Sequence, residues 1–436
     1  MSGGGNNATI SMPGPGRGPG WQMLWPASFD TFQLDIVGFL AILGEGSVAA
    51  NAQVSALSRL SFLPRLIPAP QALLWPTRPV TLEPTTKASV TGVESGNVKD
   101  HIHHVAAILL SKAEAMSNYT VRCVKITKSV KQPTPTSWSD RAFRGQPTKS
   151  RARAHTESPQ VTQPSVTAKA FGPLAWVALL DTTLAATLFT ASIVFGDGMS
   201  MLATILLSLL STLTGISNSW SLLLPKRRAG IVPRADTVIR YPNGSYLVVK
   251  CDEDVARELF FAPEELDYYM KSPAAYRLIS LVGTLMLMLG VICLANARLE
   301  LQFAWAGAYI LTNAGHWIAA AVPPRLHWDF SCYRLEEQGL VGGNKNIAFT
   351  EALWKAILLT RSVEWVRNGD AAPNTKVWEE WLVEANELAQ LAKEYKGRLE
   401  DQFWHDEGVL WGVQDTWDPK DAWDRINRAH QSPHGA

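Results

Sequence analysis

Four long apolar segments limit what this chain can fold into more than any other feature. They cover residues 172–195, 199–224, 275–297 and 301–322. Each contains a stretch of about 18 or more residues with few or no charges, enough for a helix to cross a hydrocarbon core about 30 Å thick. Lipid offers the backbone no hydrogen bonds, so such segments are expected as helices that satisfy their own. The expected fold is all-α and membrane-embedded, with four transmembrane helices forming two hairpins over 171–224 and 275–322. Three other regions flank them: a basic, Pro/Ser/Thr-rich N-terminal region, 1–170, expected to be largely disordered; a small ββα insert, 225–274; and an acidic, Trp-rich helical region, 323–436.

The chain averages hide this organisation. A net charge of +1 with 18% charged residues would suit a soluble enzyme, but the charge is segregated. Lys and Arg dominate 122–169, whereas Asp and Glu dominate from 370 onward. The four cysteines, Cys123, Cys251, Cys293 and Cys332, form no CxxC pair, which argues against a disulfide framework or a zinc site. The Gly/Pro-rich opening has no apolar core of a secretory signal, so insertion is expected to begin with the first span.

Positive charge sets the expected orientation. Lys149, Arg151, Arg153 and Lys169 precede the first span, Lys226, Arg227 and Arg228 follow the second, Arg277 opens the third and Arg325 follows the fourth. The connections 196–198 and 298–300 carry almost none. Both termini and the middle insert are therefore expected in the cytosol, and the sequons at Asn7, Asn118 and Asn243 are read as chance matches. Trp176, Trp220, Trp305 and Trp317 fall near span ends, where an aromatic belt belongs. Anionic lipid is the expected partner of Lys149, Arg151, Arg153, Lys226, Arg227 and Arg228; no nucleic acid is expected.

Between the hairpins, Thr237–Tyr241 and Tyr246–Cys251 flank Pro242-Asn243-Gly244-Ser245, a hairpin signal in which both central positions are expected at φ > 0. Residues 119–126 alternate like a strand, and 105–116 suit a helix. Residues 348–366 form an amphipathic helix. Beyond it, Trp381, Ala385, Leu388, Ala392, Tyr395 and Leu399 recur at alternating spacings of four and three. This seam would either dock on the protein's own cytosolic face or pair with a second copy.

Chemistry-bearing motifs are scarce. No Walker A, GxGxxG, GxSxG or HExxH pattern occurs, and no cofactor is expected. His101-Ile-His103-His104 is a lone cluster, more often solvated surface than a metal site. The sharpest candidate is Asp181, in the middle of the first span, where a carboxylate costs about 2.5–3.5 kcal/mol. Tyr309, Asn313 and His316 form the matching polar face of the fourth span. Counted from the cytosolic ends, Asp181 and Asn313 both lie about 13 Å deep at the helical rise. An intramembrane cluster of Asp181, Tyr309, Asn313 and His316 is thus expected, acting either as a proton or ion relay or as interhelical glue.

The runs at 236–261 (DTVIRYPNGSYLVVKCDEDVARELFF), 285–297 (LMLMLGVICLANA) and 327–333 (HWDFSCY) resemble uncharacterised multi-pass membrane proteins of filamentous fungi over about residues 170–370. The resemblance implies the same topology and no particular activity; some such proteins accompany secondary-metabolite genes. The leading expectation is a non-enzymatic integral membrane protein whose cytosolic tails serve interaction or scaffolding, with a cytosolic protein partner or a second copy of itself. The alternative is a small-molecule or ion/proton transporter using the intramembrane cluster.

Overall fold

A computed structural model describes residues 44–85, 87–111, 116–128, 166–222, 233–340, 346, 348–394 and 417–431. Lys149, Arg151, Arg153, Lys226, Arg227 and Arg228, Asn7, and Tyr395 and Leu399 of the seam lie outside the described residues.

Helix α1 (Glu45–Ala56) leads through two short 3-10 turns, Arg59–Phe62 and Pro70–Leu73, to strands β1 (Ser89–Gly92) and β2 (Val98–Lys99). Helix α2 (His104–Leu109) and strands β3 (Val121–Lys128) and β4 (Thr167–Ala168) precede the long helices α3 (Pro173–Val194) and α4 (Gly198–Asn218). Next come β5 (Trp220–Leu222), β6 (Thr237–Arg240), β7 (Tyr246–Lys250), α5 (Glu253–Ala256) with a π turn at Arg257–Phe261, and β8 (Leu266–Tyr268). The second long pair is α6 (Pro273–Ala295) and α7 (Leu299–Ala321). Strands β9 (Trp328–Asp329) and β10 (Tyr333–Leu340) and helices α8 (Phe349–Thr360), α9 (Glu364–Asn368), α10 (Lys376–Glu394) and α11 (Pro419–Gln431) complete the order.

Local chemistry sets the ends of the long helices. Pro173 and Pro273 open α3 and α6 in the first turn, where a missing N–H costs nothing. Gly196, at φ 64°, turns the chain after α3 in the left-handed conformation. The Asp197 carboxylate then caps α4 through the N–H groups of Met199 and Ser200.

By length and composition, α3, α4 and α6 are apolar enough to cross a membrane. Helix α7 is equally long at 23 residues, but Glu300, Gln302, Asn313 and His316 lower its hydropathy, and it is not among these three. Packing neighbours run α6–α4–α3–α7. The distribution of side chains is inverted relative to a soluble bundle. Phe189, Leu281, Leu285, Met288 and Ile310 face outward, while Asp181, Ser192, Ser200, Thr204 and Ser211 are buried. Inner hydroxyls bond back to carbonyls of their own helix, as Thr204 does to Ser200 at 2.8 Å and Ser208 to Thr204 at 2.6 Å. The aromatic belt is only half present: Trp176 and Trp317 are exposed, but Trp220 and Trp305 are core residues.

Three expectations for the regions around the helices are corrected. Residues 44–128 are not the largely disordered stretch expected there; their described part supplies two helices and three strands. Nor is the ββα insert a separate module, because its hairpin is the centre of a six-stranded sheet ordered β10-β3-β7-β6-β1-β2. All pairings are antiparallel except β3 with β7. Finally, the region after the last long helix is not purely helical, since it contributes β10.

The sheet is covered on both faces. Val90, Ile126, Ile239, Leu247 and Val249 pack with α2, Phe260, Trp220 and Trp328. On the opposite face Cys123, Val238, Tyr246 and Val248 meet Trp354, Ile357, Trp365 and Trp381. Strands buried on both sides read as continuous apolar runs, which is what Tyr246-Leu-Val-Val provides. The seam on α10 therefore docks within the chain, through Trp381, Leu382, Ala385 and Ala389. The helix expected over 348–366 breaks at Arg361, which adopts φ 56°.

The turn between β6 and β7 also differs from expectation. Only Gly244 has positive φ, at 75°. Pro242 holds φ near −65°, which suits the first central position of a type I turn. Gly244 then takes the left-handed position that completes the bulge. Gly244 donates to Tyr241 at 3.1 Å and Tyr241 donates to Ser245 at 3.0 Å.

Candidate functional site: a buried polar cluster and its wedge

Of the expected cluster, Asp181 and His316 meet. His316 Nε2 lies 3.0 Å from Asp181 Oδ2, across the contact of α3 with α7, and the carboxylate is fully buried. With the carboxylate ionised, Nε2 carries the proton and donates, which leaves Nδ1 as an acceptor. Tyr309 and Asn313 point elsewhere. The Tyr309 hydroxyl accepts the Ala69 N–H at 2.8 Å, and Asn313 lies against Gly44, where a Cβ would come within 2.8 Å of Oδ1.

Those two contacts belong to an element the sequence did not signal. Residues 58–75, largely non-helical, enter among the long helices as a wedge. Arg65 N–H donates to Ser211 Oγ at 2.9 Å, and Ser211 Oγ reaches the Leu63 carbonyl at 3.2 Å. Leu66 N–H approaches the Asp181 carbonyl at 3.4 Å. Asn218 Nδ2 donates to the Leu73 carbonyl and Ser280 Oγ to that of Trp75. Irregular backbone at membrane depth is tolerated only where protein supplies its hydrogen bonds, and α3, α4, α6 and α7 each supply at least one. Gly215 makes room for it, since a Cβ there would come 2.0 Å from the Ser61 carbonyl oxygen.

The wedge also carries Arg65, a buried cation close enough to Asp181 for the two charges to interact. Its Nη2 donates to Ser55 Oγ on α1 at 3.3 Å. The site therefore holds Arg65 and Asp181 with His316 beside them, and the two formal charges cancel. Arg65 was missed because a lone Arg between Pro64 and Leu66 resembles any surface cation; only its apolar flanks, Leu60–Pro64 and Leu66–Ile67, hinted at burial. Beyond this level Leu66, Ala185, Leu188, Ala203 and Trp305 pack together, and the buried polar groups there bond one another, Ser192 Oγ to Ser200 Oγ at 2.9 Å and Trp305 Nε1 to Ser200 Oγ at 3.3 Å. The cavity beside Arg65 and His316 is about 30 Å³. Organic ligands need about 300–1,000 Å³, so it suits nothing larger than water or a small ion.

The histidine run does not converge. His101 Nδ1 contacts Asp100, His104 Nδ1 faces the Glu83 carbonyl, and His103 is buried. Among the described residues no group of three or more His, Cys, Asp or Glu could hold a metal ion. Glu264 instead accepts the N–H groups of His104 and Val105 at 2.9 and 3.0 Å, and burial raises its carboxyl to about 7. Burial likewise pushes the thiols of Cys123 and Cys251 up to about 12 and that of Cys332 to about 11, which removes them as nucleophiles. Asn118 and Asn243 line an open recess of about 720 Å³ with Lys87, Arg240 and Phe349.

No family model matches the chain, and neither a curated protein nor a solved structure matches it.

Proposed function

We propose that this chain is a four-span integral membrane protein, non-enzymatic, that holds a folded domain against the cytosolic face of its membrane for interaction or scaffolding. One observation carries the reading. Strands β1 and β3 precede the first long helix, β6 and β7 lie between the second and third, and β10 follows the fourth, yet all join one sheet. A sheet cannot straddle a bilayer, so an even number of crossings must separate these segments. That argues for α7 as a fourth span despite its polar residues, most of which face protein. Lys169, Arg277 and Arg325 at the sheet end of the helices support a cytosolic sheet.

Transport of protons or ions through the Asp181–His316 pair is the second reading, favoured by the burial of an ionisable pair in the spans. The apolar filling around Leu66 and Trp305 weighs against a continuous path. In liposomes loaded with a pH-sensitive dye, the purified protein should produce no proton flux above that of empty vesicles. Topology is tested by single cysteines. The described native thiols are buried, so a membrane-impermeant maleimide should label Gly198→Cys from one side and Lys99→Cys from the other. Labelling of both from the same side would overturn the four-span reading.

A further inference from the structure

We propose that the cavity between the wedge and the helices is a binding site for a single water molecule, which joins Arg65 to His316 and so completes a relay from Arg65 to Asp181. Four buried atoms at this level have no hydrogen-bonding partner among the described residues: Ser61 Oγ, Arg65 Nε, His316 Nδ1 and Asp181 Oδ1. Ser61, Arg65 and His316 line the same cavity, and all three residues are more than nine-tenths buried. A water site needs at least about 10–15 Å³ and two to four polar partners. Here there are about 30 Å³ and three such side chains.

The donor and acceptor pattern selects the ligand. Arg65 Nε offers a proton. His316 Nδ1 offers a lone pair, because Nε2 already donates to Asp181. Ser61 Oγ can take either part. Water can accept from Arg65 while donating to His316, whereas a halide would face the imidazole lone pair and a cation would face the guanidinium. The charged groups beside His316 are Asp181 from α3 and Arg65 from the wedge, and Arg65 balances Asp181. Leaving either charge buried without the other is costly, so the water transmits an electrostatic latch between wedge and bundle.

The test uses the full chain, labelled with ¹⁵N-histidine, in lipid nanodiscs. The His316 resonance, assigned by its loss in His316→Gln, should show a protonated Nε2, a hydrogen-bonded unprotonated Nδ1 and a cross-peak to water. Thermal unfolding of Arg65→Gln, Asp181→Asn and the double variant supplies the second measurement. The double variant should melt at or above the less stable single variant, with clear non-additivity. Absence of the water cross-peak, as a direct Arg65–Asp181 bond would give, overturns the proposal. So does strict additivity, or a melting temperature that rises with chloride relative to gluconate at constant ionic strength, which would assign the cavity to an anion.

Discussion

Asp197 accepts the backbone N–H of Arg298 at 2.7 Å. The two residues are the N-caps of α4 and α7, so one carboxylate fastens the turns of both helical hairpins together at the end remote from the sheet. Its other oxygen accepts the N–H groups of Met199 and Ser200 at 3.0 and 3.2 Å. Asp197→Ala should lower the unfolding free energy by about 1–2 kcal/mol, the usual cost of a lost cap. Asp197→Asn should fall between the two, because an amide still caps α4 but cannot accept at every position. Thermal unfolding in detergent measures both.

Gly215→Ala should dislodge the wedge. The Ser61 carbonyl is backbone and cannot swing aside, so either the wedge or α4 must shift. Overpacking of this kind costs about 1–3 kcal/mol. Limited proteolysis should cut the variant within 58–75 faster than the parent. Gly307→Ala is the control, as a Cβ there meets nothing within 4 Å. It should be neutral, or stabilising by up to about 1 kcal/mol through helix propensity.

Two buried groups at the start of α2 give opposing pH dependences. Burial raises Glu264 from 4.5 to about 7, so the folded state binds a proton that the unfolded state has lost, and stability falls as pH rises through that window. Burial lowers His103 from 6.5 to about 4, so the unfolded state binds the proton first, and stability falls as pH drops from 6.5 to 4. Between pH 4.5 and 6.5 the slopes offset each other. Glu264→Gln should expose the His103 slope, with stability lost on acidification by at most about 3 kcal/mol. His103→Gln should expose the reverse. Chemical denaturation from pH 4 to 8 would detect either, and a flat profile in both variants contradicts the assignment.

Arg78 staples the sheet-side end of the bundle. Its guanidinium sits 4.1 Å from the Tyr268 ring centroid and 4.3 Å from that of Tyr276, and it donates to the carbonyls of Ser217 and Met270. A Lys keeps the charge but cannot stack its plane between two rings while reaching two carbonyls. Arg78→Lys should therefore cost about 1–2 kcal/mol, read as a lower melting temperature. Tyr268→Leu should remove part of that difference.

The sequence makes the long helices legible to within a residue or two at most ends, because an apolar run of that length has few alternatives. It also makes the β6–β7 hairpin legible, through its turn residues. Counting depth from the helix ends set Asp181 level with Asn313 and put His316 within a turn of that level, since a helix converts residue number directly into distance; the structure pairs Asp181 with His316. The same arithmetic misplaced Asn313, because depth does not specify azimuth and Asn313 turns toward Gly44.

What the chain decided by itself was therefore local: which segments are greasy rods, where they start, and which carboxylate would be costly if left alone. Tertiary structure decided who covers whom. Arg65 and Ser211 are 146 residues apart, and Tyr309 reaches Ala69 across 240. Periodicity reports that a face is buried without naming its partner. Strands from three separate stretches of the chain were joined only because their pairing buries both faces at once.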